Sequence, residues 1–188
     1  MDLKAGWDGT WQDFLATDRA SFLESLVSFH CSLSWTQDLD PAQRFAWETE
    51  YDVMTSTLNH VITETQVEPE KCWIAFEQEL IGEGGKRAAD VNLVTPAGEL
   101  FVVEFKHKQE ASEYEILRAN SDLQTMRRYH SESIDLVGHG FVVLTKPGAK
   151  PFQHPNLVCD IADDGLAPQL ASQLITSLSK PSYYNVLQ

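Results

Sequence analysis

The sequence predicts an α/β (α+β) fold in which helices flank a mixed central sheet, and three observations support this prediction. A strong helix start at Asp40-Pro41 leads into a long apolar stripe with helical spacing. Three strand-like runs separated by glycine-containing turns follow between 72 and 108. Another helical segment then precedes a strand-like run at 140–146. Short turns join antiparallel strands, whereas a helical crossover joins parallel strands, so one sheet would contain both arrangements.

The composition indicates one folded domain. A chain of 188 residues with 43% hydrophobic and 10% aromatic residues can bury a sizeable core. We expect a single domain over 1–188, with a helical N-terminal part at 1–66, a core at about 72–146 and a C-terminal strand and helix at 156–179. The sequence shows no apolar run long enough to cross a membrane and no signal peptide, and its three cysteines are far apart. We therefore expect a soluble, reduced, cytoplasmic protein.

The formal net charge of −14 argues against tight, non-specific binding of nucleic acid by the whole surface. The charge is unevenly distributed. The segment from Lys86 to Arg128 carries seven basic and seven acidic residues and is formally neutral. The excess acid therefore lies outside the segment in which we expect the site.

Two helices are predicted before the first strand-like run. The segment from Thr17 to His30 places apolar residues on one helical face. In the second helix, Asp40 can cap, Pro41 suits the first turn and Gln43 can reach back to the cap. This helix should continue to about Thr65 with a buried stripe. The stripe consists of Trp47, Tyr51, Met54, Leu58 and Val61.

The remaining elements follow from strand and turn patterns. Ser112 and Glu115 form a capping box for a helix that should end near His130, and Leu166–Leu178 reads as a C-terminal helix. The predicted element order is α-α-β-β-β-α-β-β-α. The predicted strands are Cys72–Leu80, Arg87–Thr95, Glu99–Lys108, Gly140–Lys146 and Asn156–Ile161.

Turn lengths predict which residues face each other across the three consecutive strands. A three-residue loop at 96–98 with Gly98 in the left-handed conformation pairs Thr95 with Glu99, and counting outward brings Asp90 opposite Glu104. A four-residue loop at 82–85 brings Glu77 opposite Asp90 in the same way. Three carboxylates would then lie in a row, about 4.5–5.5 Å apart between neighbouring Cβ atoms. Lys106 shares the face of Glu104.

Opposed carboxylates destabilise a sheet, so such a row predicts a hard cation with oxygen ligands, Mg²⁺ or Mn²⁺. The cation would polarise a phosphoryl oxygen and activate a water molecule, while Lys106 positions or deprotonates the water or offsets phosphate charge. The alternative is that Glu104 and Lys106 form only a surface ion pair. Their strand is apolar on both faces, as expected of a covered central strand, and this favours the catalytic interpretation.

These residues resemble the PD-(D/E)xK nuclease superfamily, whose motif is matched by Asp90 and Glu104-Phe105-Lys106. The likeness covers about Cys72 to Lys146 and is strongest with bacterial nuclease domains that are often joined to helicase-like ATPases. It implies a restriction-endonuclease-like αβββαβ core. Further matching segments are Phe76–Leu80, Lys86–Asp90, Asp122-Leu123 and Tyr129–Ser133. Two positions depart from the pattern: Glu115 replaces a usual glutamine, and Gln124 is followed by tyrosine five residues on rather than four.

The resemblance implies a role for each site residue. Asp90 and Glu104 would bind the metal, Lys106 would act on the water, and Glu77 would be an auxiliary ligand or base. Glu48 or Glu50 on the long helix would be able to reach the metal, as a helix carboxylate sometimes does in this superfamily. Candidates for phosphate contact are Gln124, Arg128 and His130, the last of which could equally have a structural role at its helix end.

The leading functional hypothesis is a metal-dependent nuclease that hydrolyses phosphodiester bonds, in DNA rather than RNA, in restriction, repair or defence. The negative charge supports two others. One is an acidic non-catalytic binding or immunity protein on a degenerate nuclease fold. The other is a nuclease subunit that gains DNA affinity from a separate ATPase, helicase or other protein. A homodimer is a further partner hypothesis.

Overall fold

A computed structural model of the chain describes residues 4–33, 39–82, 85–108, 110, 112–130, 137–146 and 165–179. These residues form an α+β fold with a five-stranded mixed sheet flanked by helices, as the sequence predicts. The strands are β1 (Trp7–Thr10), β2 (Trp73–Gly82), β3 (Gly85–Val94), β4 (Glu99–Lys106) and β5 (Val137–Leu144). The helices are α1 (Trp11–Ala16), α2 (Arg19–Leu33), α3 (Pro41–Glu64), α4 (Glu113–His130) and α5 (Pro168–Leu178), with a single 3-10 turn at Pro69–Lys71.

The strands follow chain order across the sheet, β1-β2-β3-β4-β5. Neighbours from β1 to β4 pair antiparallel, and β5 pairs parallel to β4 after the crossover through α4. The loop at 96–98 has the predicted geometry, because Gly98 has a φ of 77° and its N–H donates to the Thr95 carbonyl at 2.9 Å. Val91 pairs with Val103, so the predicted register between β3 and β4 is confirmed.

The main core lies on one face of the sheet, where α1, α2, α3 and α5 pack. Phe101, Val103 and Phe105 of β4 belong to this core. Leu100 and Val102 alternate with them and form a second, smaller cluster with Ala89 on the opposite face. Strand β4 is therefore buried on both faces, which confirms the prediction of a covered central strand.

The helix boundaries are set by side-chain caps, as predicted. Asp40 accepts a 3.0 Å hydrogen bond from the Ala42 N–H, and α3 ends at Glu64. The Ser112 N–H donates to Oε2 of Glu115 at 2.8 Å, which forms the expected capping box at the start of α4. In the described part of the chain, no helix combines the length and apolar character that crossing a membrane requires.

The N-terminal region differs from the prediction because it is not all helical. The four-residue strand β1 and six-residue helix α1 precede the predicted helix. A sequence as short as Trp-Asp-Gly-Thr has little intrinsic strand preference, so β1 depends on pairing with the edge of β2. One and a half turns of helix are too short to show a periodic pattern. The predicted strand Asn156–Ile161 lies outside the described residues.

Candidate active site

The site begins where β3 and β4 separate. Their ladder runs from Val94↔Leu100 to Val91↔Val103 and stops there. At the next position, Oδ2 of Asp90 accepts a 2.7 Å hydrogen bond from the Phe105 N–H. A side-chain carboxylate thus satisfies a backbone donor of β4 that the ladder leaves unpaired. The predicted register is right, but Asp90 and Glu104 do not form the direct cross-strand pair expected of an unbroken ladder.

Lys106 brings the two carboxylates together. Its Nζ lies 3.1 Å from Oε2 of Glu104 and 3.8 Å from Oδ2 of Asp90. Nζ also donates to the Phe105 carbonyl at 2.9 Å. Because Glu104 is only 1% exposed, this is a buried charge cluster and not the surface ion pair that was the alternative interpretation. Asp90, Glu104 and Lys106 therefore meet, as the motif predicts.

Glu77 occupies an irregular position in β2. The ladder between β2 and β3 passes from Phe76↔Val91 to Gln78↔Ala89 and omits Glu77 and Asp90. Glu77 has a φ of 51°, a left-handed conformation that is costly for a residue other than glycine. The predicted register between β2 and β3 is confirmed, because Ile81 pairs with Lys86 and the pairs on both sides of Glu77 keep it opposite Asp90. The expectation of a regular ladder at this point is wrong, since Glu77 and Asp90 do not themselves form a ladder pair. Strained conformations of this kind cluster at functional sites, which favours a role for Glu77.

A tryptophan directs the Glu77 side chain toward α3. Trp47 is 1% exposed, and its Nε1 donates a 2.8 Å hydrogen bond to Oε1 of Glu77. The sequence pattern alone assigns Trp47 to the core. The hydrogen bond adds a second role that no sequence feature indicates, because it depends on the irregular backbone at Glu77.

Glu50 of α3 joins the same cluster. It is 4% exposed, and its charge interacts with those of Asp90, Glu77, Lys106 and Glu104. Within the described residues, its Oε2 is buried and has no hydrogen-bond partner. Helical spacing could have predicted that Glu50 is buried, since it lies three residues after Trp47 and four before Met54 on the buried stripe.

The other candidate carboxylate of α3, Glu48, does not reach the site. It pairs with Arg19 at 3.2 Å and with Arg44 at 3.5 Å on the protein surface. Of the two helix carboxylates, only Glu50 therefore contributes to the charge cluster.

Burial and mutual repulsion raise the pKa values of three of these acids. Burial, reinforced by the charges of Asp90 and Glu77, holds the pKa of Glu50 well above its ordinary value. Burial and Asp90 raise the pKa of Glu77 to about 7, although the Trp47 hydrogen bond works in the opposite direction. Burial also raises the pKa of Asp90 against the opposing effect of Lys106.

The neighbouring acids favour the charged form of Lys106. Burial by itself would lower the pKa of Lys106, but the carboxylates of Asp90 and Glu104 outweigh it and the pKa is raised. The ammonium is therefore a positive charge that Asp90 and Glu104 share.

Helix α4 contributes a second cation. The charge of Arg118 favours the ionised form of Asp90. The motif did not indicate Arg118, because its approach depends on how α4 packs on the sheet. Of the predicted phosphate contacts, Gln124 is exposed on α4, and the side chains of Arg128 and His130 lie outside the described residues.

The donor set suits a hard divalent cation. Carboxylate oxygens are the preferred ligands of Mg²⁺, and the buried Oε2 of Glu50 lacks a partner among the described residues. In the arrangement described, no set of three or more acidic, histidine or cysteine side chains from the described ranges converges into a metal cage. The Lys106 ammonium lies within ion-pair distance of both Asp90 and Glu104. Mg²⁺ or Mn²⁺ binding stays a prediction.

Comparison with known proteins adds no relative. No family model matches the chain, and no curated protein matches it either. The resemblance to PD-(D/E)xK nucleases accordingly depends on the motif residues and on their spacing.

Proposed function

We propose that the protein is a Mg²⁺- or Mn²⁺-dependent nuclease with a restriction-endonuclease-like core of the PD-(D/E)xK type. The observation that carries this proposal is the buried meeting of Asp90, Glu104 and Lys106 where β3 and β4 part. Glu104 is buried, and the side chains of Asp90 and Lys106 are only 20% and 21% exposed. Such a set of charges contributes little to stability, because a well-packed apolar set is often at least as stable. Functional sites are where such groups are retained.

The roles of the residues follow from their positions. Asp90, Glu104 and Glu50, with Glu77 beside them, would hold the cation, which supplies Lewis acidity and lowers the pKa of a water molecule. Hydrolysis joins the water oxygen to phosphorus and breaks one phosphorus–oxygen ester bond. Lys106 and Glu77 would then stabilise the charge that develops and accept the proton that is released.

Lys106 serves as an electrostatic group in this scheme. Its raised pKa keeps it protonated, so it offsets the negative charge that develops on the phosphate rather than deprotonating water. Glu77, whose pKa burial and the charge of Asp90 raise to about 7 in the metal-free protein, would be the auxiliary base of this set. The Trp47 hydrogen bond holds that carboxyl in one orientation.

The substrate and partner proposals follow from charge. A net charge of −14 disfavours strong binding of DNA by this chain alone. We infer a DNA substrate presented by a second component, such as a helicase-like ATPase or another basic protein, in restriction, repair or defence. A homodimer would be a second way to extend the contact surface.

The same charge favours one competing function, a non-catalytic acidic binding or immunity protein. Such a protein has no chemical reason to bury Glu50 and Glu104 around a lysine. It would bind a protein partner tightly and leave every nucleic acid intact, which separates it from the nuclease.

The test is cleavage of plasmid, linear and single-stranded DNA and of RNA in Mg²⁺ or Mn²⁺. Asp90→Ala and Lys106→Ala should abolish cleavage. Lys108→Ala is the matched control, because Lys108 is an exposed lysine two residues away that pairs with Glu115. Equal cleavage by all four proteins would indicate a contaminant. No cleavage by the native chain, even at protein and DNA concentrations high enough to overcome weak binding, would contradict the proposal.

A further inference from the structure

A small pocket opens beside the charge cluster. Among the described residues, it is lined by α3, by the end of β4 and by the residues directly after β4 and β5, and it has a volume of about 170 Å³. Pockets that enclose a whole small molecule usually measure roughly 300–1,000 Å³, so this one suits a single flat ring. Most of its lining is apolar, and Phe45, Phe105 and His107 contribute rings.

The rim of the pocket is held in place. The rings of Phe45 and His107 meet edge to face at 5.4 Å, and Nδ1 of His107 is 3.1 Å from the Thr145 hydroxyl. Phe45 is nevertheless 53% exposed. A large aromatic side chain with more than half of its surface open can stack on another flat ring.

The pocket and the charge cluster share a wall. Glu50 lines the pocket, and its buried Oε2 has no hydrogen-bond partner among the described residues. Phe105 also lines the pocket, and its side chain belongs to the core face of β4, from which Lys106 alternates. The link between the pocket and the charge cluster is therefore Glu50, whose charge interacts with those of Lys106 and Glu104.

We propose that this pocket is a subsite for one unpaired nucleobase, stacked on Phe45, of the strand being cut. This inference rests on the proposed nuclease function. Sugar and phosphate are polar, so the base is the part of a nucleic acid that fits a ring-lined apolar pocket. A base inside a duplex is already stacked and must leave the helix to enter. The site therefore prefers single strands or frayed ends to the interior of a duplex.

The test measures binding of a fluorescent single-stranded oligonucleotide by anisotropy, with Ca²⁺ replacing Mg²⁺ and a gel showing that the strand stays intact. The comparison probe is an abasic deoxyribose-phosphate strand of the same length. The native chain should bind the base-bearing strand about tenfold more tightly, in keeping with one stacked base. Phe45→Ala should remove this difference, whereas Phe45→Trp should keep it.

Tyr114→Ala is the matched control, because Tyr114 is a 72% exposed aromatic residue on α4 that does not line the pocket. It should bind like the native chain. Equal affinity of the native chain for both strands, no binding of either, or an undiminished preference in Phe45→Ala would overturn the subsite. Cleavage by the native chain that is insensitive to Phe45→Ala would leave the nuclease proposal standing without the subsite. Base-dependent binding without cleavage would support the subsite and contradict the nuclease proposal.

Discussion

The indole N–H of Trp47 donates a 2.8 Å hydrogen bond to Oε1 of Glu77. The bond links a buried position of α3 to the left-handed residue of β2. It favours the ionised carboxylate and so limits the rise in the pKa of Glu77. A core residue thereby orients a carboxyl group at the site and partly offsets the rise in its pKa that burial causes.

Replacing Trp47 with phenylalanine should slow cleavage about tenfold or more, because Glu77 loses its orienting donor. The pKa of Glu77 should rise further, so the pH–rate profile should shift to higher pH. Trp11→Phe is the control, since Trp11 is also buried and donates its indole N–H to a backbone carbonyl, that of Trp73. Both variants should lose stability, but only the first should shift the profile. An identical shift in both would assign Trp47 to packing alone.

Glu50→Gln should weaken Mg²⁺ binding and stabilise the metal-free protein, because a buried carboxyl group that repels Asp90 and Glu77 becomes a neutral amide. Glu48→Gln on the same helix should change stability by no more than about 0.5 kcal/mol, as an exposed ion pair contributes little. Isothermal titration with Mg²⁺ and urea denaturation in EDTA would measure both effects. Equal metal affinity in the two variants would exclude Glu50 from the metal site.

Lys106→Met should destabilise the metal-free protein by about 2–3 kcal/mol, because the carboxylate of Glu104 loses the ammonium 3.1 Å away. Glu104→Gln should lower metal affinity but leave the fold intact or more stable, since it removes one of the crowded acids. The double variant should recover most of the stability lost in Lys106→Met. Urea unfolding of all four proteins completes the double-mutant cycle. Purely additive effects would show that the two side chains do not interact.

The metal-free protein should lose stability as the pH rises from about 4.5 to about 7. Glu77 has its pKa raised from 4.5 to about 7, so the folded state holds a proton that the unfolded state releases in this range. The unfolded state therefore gains on the folded state with increasing pH, by on the order of 3 kcal/mol for this group. Glu50 and Asp90 shift in the same direction.

Chemical denaturation in EDTA across this range would reveal the effect. Glu77→Gln should flatten the pH dependence, and Mg²⁺ should oppose it by favouring the ionised acids. A native protein that grows more stable toward pH 7 by the same amount as Glu77→Gln would show that Glu77 is not protonated in the fold.

The sequence predicted what depends on local rules. The caps at Asp40 and Ser112 and the turn at Gly98 each follow from a few neighbouring residues, and all are confirmed. Register follows from loop length, so the position of Asp90 relative to Glu104 could also be predicted. The break in the ladder could not be predicted, because there the Phe105 N–H donates to the Asp90 carboxylate and not to a backbone carbonyl. Loop length does not determine that choice of partner.

The contributions of the helices to the site were the hardest to predict from the sequence. Glu48 and Glu50 are both acidic residues of one helix, and only the packing of α3 on the sheet separates their roles. The approach of Arg118 to Asp90 likewise depends on the crossover through α4. Strand β1 was missed because its formation depends on the edge of β2 rather than on its own residues.

The three-residue turn before β4 also constrains how this chain can evolve. Insertion or deletion of one residue there would exchange the two faces of β4, sending Glu104 into the place of Phe105. Core and chemistry would be lost in the same event. Related sequences should therefore preserve the length of this hairpin, even where its residue identities differ.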